Sequence, residues 1–182
     1  NSVEAHEEGT PVMRPMVFEF MNDPAVPYLD QQYMLGDALM VAPVFREDKV
    51  AQYYLPEGTW TELLTGETKE GGRWYQGTYD YFSMPRYVRE NSIVVRGNCD
   101  TKPDYDYADH ATVCVYQLKD AAETKVPDIH GNTVFTVKAV KDGDAVKVSV
   151  EGAHTELKVE VFVGNEKKEA VLAADANEVV VA

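Results

Sequence analysis

Carboxylates and aromatic rings are the residue types here that could do chemistry. Asp104, Asp106 and Asp109 crowd the stretch Asp104-Tyr105-Asp106-Tyr107-Ala108-Asp109. An extended chain would put Asp104 and Asp106 on one face, where two carboxylates could hold a cation or clamp vicinal hydroxyls. The plainer reading, which we favour, is a solvated crossover between strands anchored by its tyrosines. Eight aromatics (Tyr53, Tyr54, Trp60, Trp74, Tyr75, Tyr79, Tyr81 and Phe82) lie close together in the middle of the chain. Ring faces can stack on sugars, but such residues more often fill the core of a small β-sandwich, and we read them so. His6, His110, His130 and His154 are far apart in sequence and fall in loop-like surroundings. No Cys or His spacing suits zinc, and no glycine-rich phosphate loop follows a strand. Cys99 and Cys114 read as free thiols in a reducing compartment, the cytoplasm, because two cysteines make no disulfide framework in a chain this long.

These residues must be carried mostly by strands. Gly9 stops a short helical run and Pro11 follows it. Met16 to Phe20 is largely apolar, as a strand buried on both faces would be. Asn22-Asp23-Pro24 starts a turn, and a short helix carrying Tyr28, Leu29, Gln32 and Tyr33 is expected before Gly36. From there the pattern is all-β. Leu39–Val44, Gln52–Leu55 and Trp60–Leu64 are strands, with turns at Pro56-Glu57-Gly58-Thr59 and Thr65-Gly66-Glu67. Further strands are expected at Tyr87–Arg89, Ser92–Val95, Ala111–Leu118, Thr133–Val140, Ala145–Val150, Leu157–Val163 and Glu178–Val181. Val146-Lys147-Val148-Ser149-Val150 alternates strictly, which gives one packed face and one wet face. The charged stretch Lys119–Lys125 reads as a linker, and all six arginines lie at or before Arg96.

The chain has 182 residues, 45% of them hydrophobic and 26% charged, the pattern of a globular protein. A net charge of −14 disfavours nucleic acid and anionic membrane surfaces, both of which need clustered cations. No apolar run approaches the ~20 residues of a membrane span. The chain starts at Asn1, without Met, in what reads as the tail of a helix, so we expect it to be a piece of a longer protein.

Four ordered segments are similar to those of glycoside hydrolase family 31. They are Arg14-Pro15-Met16-Val17-Phe18-Glu19-Phe20 with Asn22-Asp23-Pro24, then Asp30 to Val44, then Tyr54 to Trp60, then Met84 to Ile93. Lys102-Pro103-Asp104-Tyr105-Asp106-Tyr107 leans toward the bacterial α-xylosidase branch. The resemblance covers about residues 9 to 120. It implies a (β/α)8 barrel followed by proximal and distal β-sandwiches. The chain is then mainly β: two C-terminal β-sandwich domains preceded by the last strand and helix of a barrel. Residues 1–36 would be the barrel remnant (end of helix 7, strand 8 and a short helix), 37–120 the proximal sandwich and 121–182 the distal one. Without barrel neighbours, Met16 to Phe20 is expected to pack irregularly or to pair with another chain.

The resemblance also implies a retaining mechanism with two aspartates, whose carboxyls must stand roughly 5–5.5 Å apart. The nucleophile motif, an aspartate followed closely by Phe-Gly-Glu or Met-Asn-Glu, does not occur, nor does the tryptophan-rich surround of the acid. We therefore assign no catalytic, cofactor-binding or metal-ligating residue here and expect the chain alone to be inactive. Arg14 and Glu19 fall on the barrel-strand match and read as structural. The implied partners of the parent are a carbohydrate substrate and further copies of itself. The main rivals are a free-standing carbohydrate-binding β-sandwich and an immunoglobulin-like adhesion module. A buried barrel strand would serve no purpose in either.

Overall fold

The computed structural model describes all 182 residues as two compact units, Asn1–Glu90 and Asn91–Ala182. The chain is mainly β, as expected, but the boundaries differ. The expected divisions after 36 and after 120 are replaced by one between Glu90 and Asn91, because hydrogen-bonded pairing commits the strands otherwise.

In the first unit, helix α1 (Ser2–Glu8) ends at Gly9, whose left-handed φ of 74° lets its N–H reach the Ala5 carbonyl. Strands β1 (Met13–Pro15), β2 (Tyr33–Leu35), β3 (Leu39–Val41), β4 (Val50–Leu55), β5 (Thr59–Glu62), β6 (Thr68–Glu70), β7 (Arg73–Thr78) and β8 (Arg86–Arg89) follow. Six of them form an antiparallel sheet in the order β1-β2-β3-β8-β5-β6, while β4 and β7 form a separate ribbon with Tyr53 opposite Tyr75. Met16, Met34, Met40, Tyr53, Leu55, Trp60 and Tyr87 make one core that joins ribbon to sheet. Residues 1–36 are thus no separate remnant, since β1 pairs antiparallel with β2 inside this sheet.

Met16–Phe20 is not a strand. Residues Met16–Glu19 form a single helical turn, α2, after an extended Pro15. The turn buries Met16 and leaves Val17 and Phe18 about half exposed. It also brings Glu19 back to Arg14, which five extended residues at about 3.3 Å each would have carried away. No open strand edge remains at this segment to pair with another chain. The helix expected around Tyr28 to Tyr33 is a short 3-10 turn, Val26–Tyr28, followed by β2.

The second unit is one sandwich. Strands β9 (Ser92–Arg96), β10 (Thr112–Tyr116), β14 (Leu157–Val163) and β15 (Glu166–Leu172) form a sheet in the order β15-β14-β10-β9. The facing sheet runs β11-β12-β13-β16, with β11 Ala121–Pro127, β12 Thr133–Asp142, β13 Ala145–Gly152 and β16 Glu178–Val181. All pairings are antiparallel except β10 with β14. Val113, Val115, Leu157, Val159 and Val161 meet Phe135, Val137, Val148 and Val150 between the sheets. The presumed linker at 119–125 is mostly strand β11, whose backbone pairs with β12 from Ala121 onward.

Candidate functional site

Arg14 is 3% exposed and fully engaged. Its Nε donates to the Pro11 carbonyl at 2.9 Å, and Nη1 and Nη2 reach Glu19 and Glu4 at 2.7 Å each. Arg89 lies 3.7 Å from the other Glu19 oxygen and covers the Phe20 ring. Burial works against the Arg14 charge, yet the two carboxylates hold its pKa above the ordinary value. Glu19 is clamped between two guanidiniums, so this group ties α1, β1, α2 and β8 together rather than offering a free base.

The central aromatics divide by position. Tyr53 is buried in the core with its hydroxyl 2.9 Å from that of Tyr87. The Tyr79 hydroxyl and Lys69 Nζ donate to the same oxygen at 3.2 and 3.1 Å. Lys69 stands 5.0 Å over the Tyr75 ring and 5.3 Å over that of Tyr87. Desolvation is the largest influence and opposes the ammonium, but the Tyr53 hydrogen bond and the electrostatic pull of Tyr53, Tyr79 and Glu67 together outweigh it and raise the Lys69 pKa. Burial likewise pushes the Tyr79 and Tyr87 phenols up. The result is a neutral tyrosine cage around a lysine charge, a packing device. Trp60 is buried with Nε1 donating to the Pro56 carbonyl at 2.8 Å. Tyr81 and Phe82, 97% and 90% exposed, stand out at the turn before β8.

Trp74 is different. It is 49% exposed and tilts against the Tyr54 ring at 5.6 Å. Tyr54 is fixed from behind: its hydroxyl donates to Asp23 at 3.1 Å, and its backbone N–H and C=O both pair with the buried Gln32 amide at 2.8 Å. Beside these groups lies a cavity of about 200 Å³ whose walls include Tyr28, Asp30, Gln52 and Trp74. A wider depression of about 600 Å³ adjoins Glu19, Asp23, Glu57 and Arg89. All of these groups lie in the first unit.

In the second unit Asp104 and Asp106 are exposed. Asp106 accepts from the Ala108 N–H at 3.0 Å, and the Tyr107 hydroxyl donates to the Pro103 carbonyl. Tyr105 and Tyr107 pack edge to face at 4.9 Å. Gly97 admits the Tyr105 hydroxyl so closely that a Cβ there would lie 1.9 Å from it. These contacts are those of a folded crossover, and no cluster of three or more His, Cys, Asp or Glu is placed to hold a metal. His6, His110 and His130 are exposed, whereas His154 is partly buried between the carbonyls of Thr155 and Ala176. Cys99 and Cys114 are both free thiols. Cys114 is fully buried, and burial pushes its thiol up to about 11.

Sequence reasoning missed one charged group. Glu160 is 4% exposed on β14 and receives Arg96 at 2.7 Å, Lys158 at 2.9 Å and Lys167 at 3.5 Å. Burial alone would raise its pKa, but the Lys158 bond and the Arg96 and Lys167 charges overcome this and lower it. Lys158-Val159-Glu160-Val161 alternates like a wet face, so no local pattern marks Glu160 as buried. Gln32 and Lys69 were invisible for the same reason: their partners are strands distant in sequence.

Comparison with known proteins places these units in order. The family model described as the glycosyl hydrolase family 31 C-terminal domain matches residues 9–94. The model described as the C-terminal domain of alpha-xylosidase YicI matches residues 106–182. Alpha-xylosidase XylQ of Lactiplantibacillus pentosus is 33% identical over 162 residues, 87% of this chain and 21% of that protein. Alpha-glucosidase 2 of Bacillus thermoamyloliquefaciens is 30% identical over 166 residues, 90% of this chain and 20% of its own length. Among solved structures, the GH31 alpha-xylosidase of Xanthomonas citri is 26% identical with a TM-score of 0.76, over 98% of this chain and 22% of that one. The chain therefore spans about a fifth of the length of the curated relatives it matches.

Proposed function

This chain belongs to glycosyl hydrolase family 31, and on that premise we propose that it is the non-catalytic C-terminal region of a retaining α-glycosidase that removes terminal α-linked xylose. The observation that carries the reading is the succession of two C-terminal domain matches, 9–94 and 106–182, along one chain. Glu160 and Glu19, the least exposed of the carboxylates in ion pairs, are held in structural roles. Retaining hydrolysis needs a free pair of carboxyls roughly 5–5.5 Å apart. Here Glu19 is clamped by two arginines, while Glu160 and Glu169 are bridged by Lys158 and Lys167.

In this reading the region braces the catalytic barrel and contributes to assembly of the enzyme. Arg14 and Glu19 support that role, because with Glu4 and Arg89 they tie α1 and β1 to α2 and β8. The two free thiols fit a reducing cytoplasm.

The test is hydrolysis of a chromogenic α-xyloside and its α-glucoside counterpart, by this chain and by the full-length protein that carries it. We expect no turnover by the chain and a xyloside preference in the full-length protein. Turnover by the chain alone would overturn the reading. A glucoside preference in the full-length protein would keep the family and remove the xylosidase branch.

A further inference from the structure

The cavity between Tyr28 and Trp74 has features that the bracing role leaves unused. Tyr28 is 78% exposed and Trp74 49% exposed, so two large rings stand in water beside a hollow of about 200 Å³. That volume is below the ~300–1,000 Å³ of pockets enclosing drug-sized molecules. It is of the size for one small ring.

We propose that this cavity binds one pyranose unit of a neutral saccharide. The ligand class follows from the walls. A pyranose has apolar C–H faces and a rim of hydroxyls that both donate and accept. Trp74 offers an apolar ring for the face. Asp30, Gln31 and Gln52 are exposed at the rim, and their side chains are not spent on bonds within the chain. Two amides and one carboxylate supply donors and acceptors for neighbouring hydroxyls. No cation lines the cavity, and the chain carries a net charge of −14, which together disfavour a phosphate or another anion.

The site is also preorganised. Residues two apart on β4 share a face, so Gln52 and Tyr54 point the same way, and Trp74 stands opposite Tyr54 on β7. The Gln32 clip and the Asp23 bond hold Tyr54, and the Tyr54 ring holds Trp74. The ring is therefore oriented before a ligand arrives, which reduces the ordering cost of binding. A single sugar ring with few contacts should bind with a dissociation constant on the order of 1 mM.

The two tryptophans make a direct test. Trp60 is 1% exposed, so a ligand-induced emission change in this chain reports Trp74. Methyl α-D-xylopyranoside, methyl α-D-glucopyranoside and maltotriose would be titrated in turn, with glycerol as the control for bulk effects. Saturable blue-shifted emission with at least one sugar and none with glycerol is expected. Tyr28→Ala and Gln52→Ala, both at exposed positions, should weaken binding at least about fivefold, the loss of one ring contact or one hydrogen bond. Glucose 1-phosphate should bind no better than the neutral glucoside. The proposal is overturned if no sugar saturates below about 100 mM, if glycerol gives the same shift, if both variants bind as the wild type does, or if the phosphate binds better. Neither set of outcomes bears on hydrolysis.

Discussion

Glu160 occupies a strand position that alternation assigns to the wet face, yet three cationic side chains from three strands close over it. Its folded pKa is lower than its unfolded value of about 4.3. A depressed carboxylate stabilises fully above the unfolded pKa and loses that contribution as pH falls through the folded one. We therefore expect urea stability to decline as pH falls below the unfolded value of about 4.3, and Glu160→Gln to flatten that decline. At pH 7 the same substitution should cost about 1–2 kcal/mol, less than a fully buried pair because Arg96 and Lys158 are about half exposed. An unchanged acid profile in the variant would show that other carboxylates set it.

Among the elements, the β4–β7 ribbon is the one most in need of support, since an isolated two-stranded pair is marginal in water. Gln32 supplies it. Its side-chain amide bonds the Tyr54 backbone twice, as a neighbouring strand would. Gln32→Leu leaves a buried N–H and a buried C=O unpaired, and should cost about 2–4 kcal/mol in chemical denaturation while speeding amide exchange at Tyr54. The elements readable from sequence were those with local patterns: β12, β13 and β14 by alternation, and the β4–β5 turn by its proline and glycine. Strands β11 and β15 were not, because Ala121-Ala122-Glu123-Thr124-Lys125 and Glu166-Lys167-Lys168-Glu169 are charged or small. That composition suits their places at sheet edges, where charge blocks further pairing. Helix α2 was missed because an apolar run of five does not distinguish a strand from one helical turn. The Tyr28–Trp74 cavity was half legible. Trp74 was recognised among the aromatics, but Tyr28 and Gln52 reach it only through strand pairing and the 3-10 turn.

At the scale of the molecule, the boundary at 90/91 has a practical meaning. β9 and β10 complete one sheet of the second unit, and Val113 and Val115 are fully buried in its core. Residues 91–182 expressed alone should fold cooperatively, with a single denaturation transition and dispersed amide resonances. Residues 121–182 should not, since removing a central strand exposes the core of both layers. Folding of 121–182 without folding of 91–182 would instead favour a boundary at 120/121. The parallel pairing of β10 with β14 also sets a timetable for biosynthesis. Cys114 and its partner Glu160 are 46 residues apart, and the whole β11-β12-β13 meander lies between them. At translation rates of about 5–20 residues per second, β10 leaves the ribosome roughly 2–9 s before its neighbour exists. For that interval it is an apolar strand with a bare edge, the stretch of this unit most in need of a chaperone.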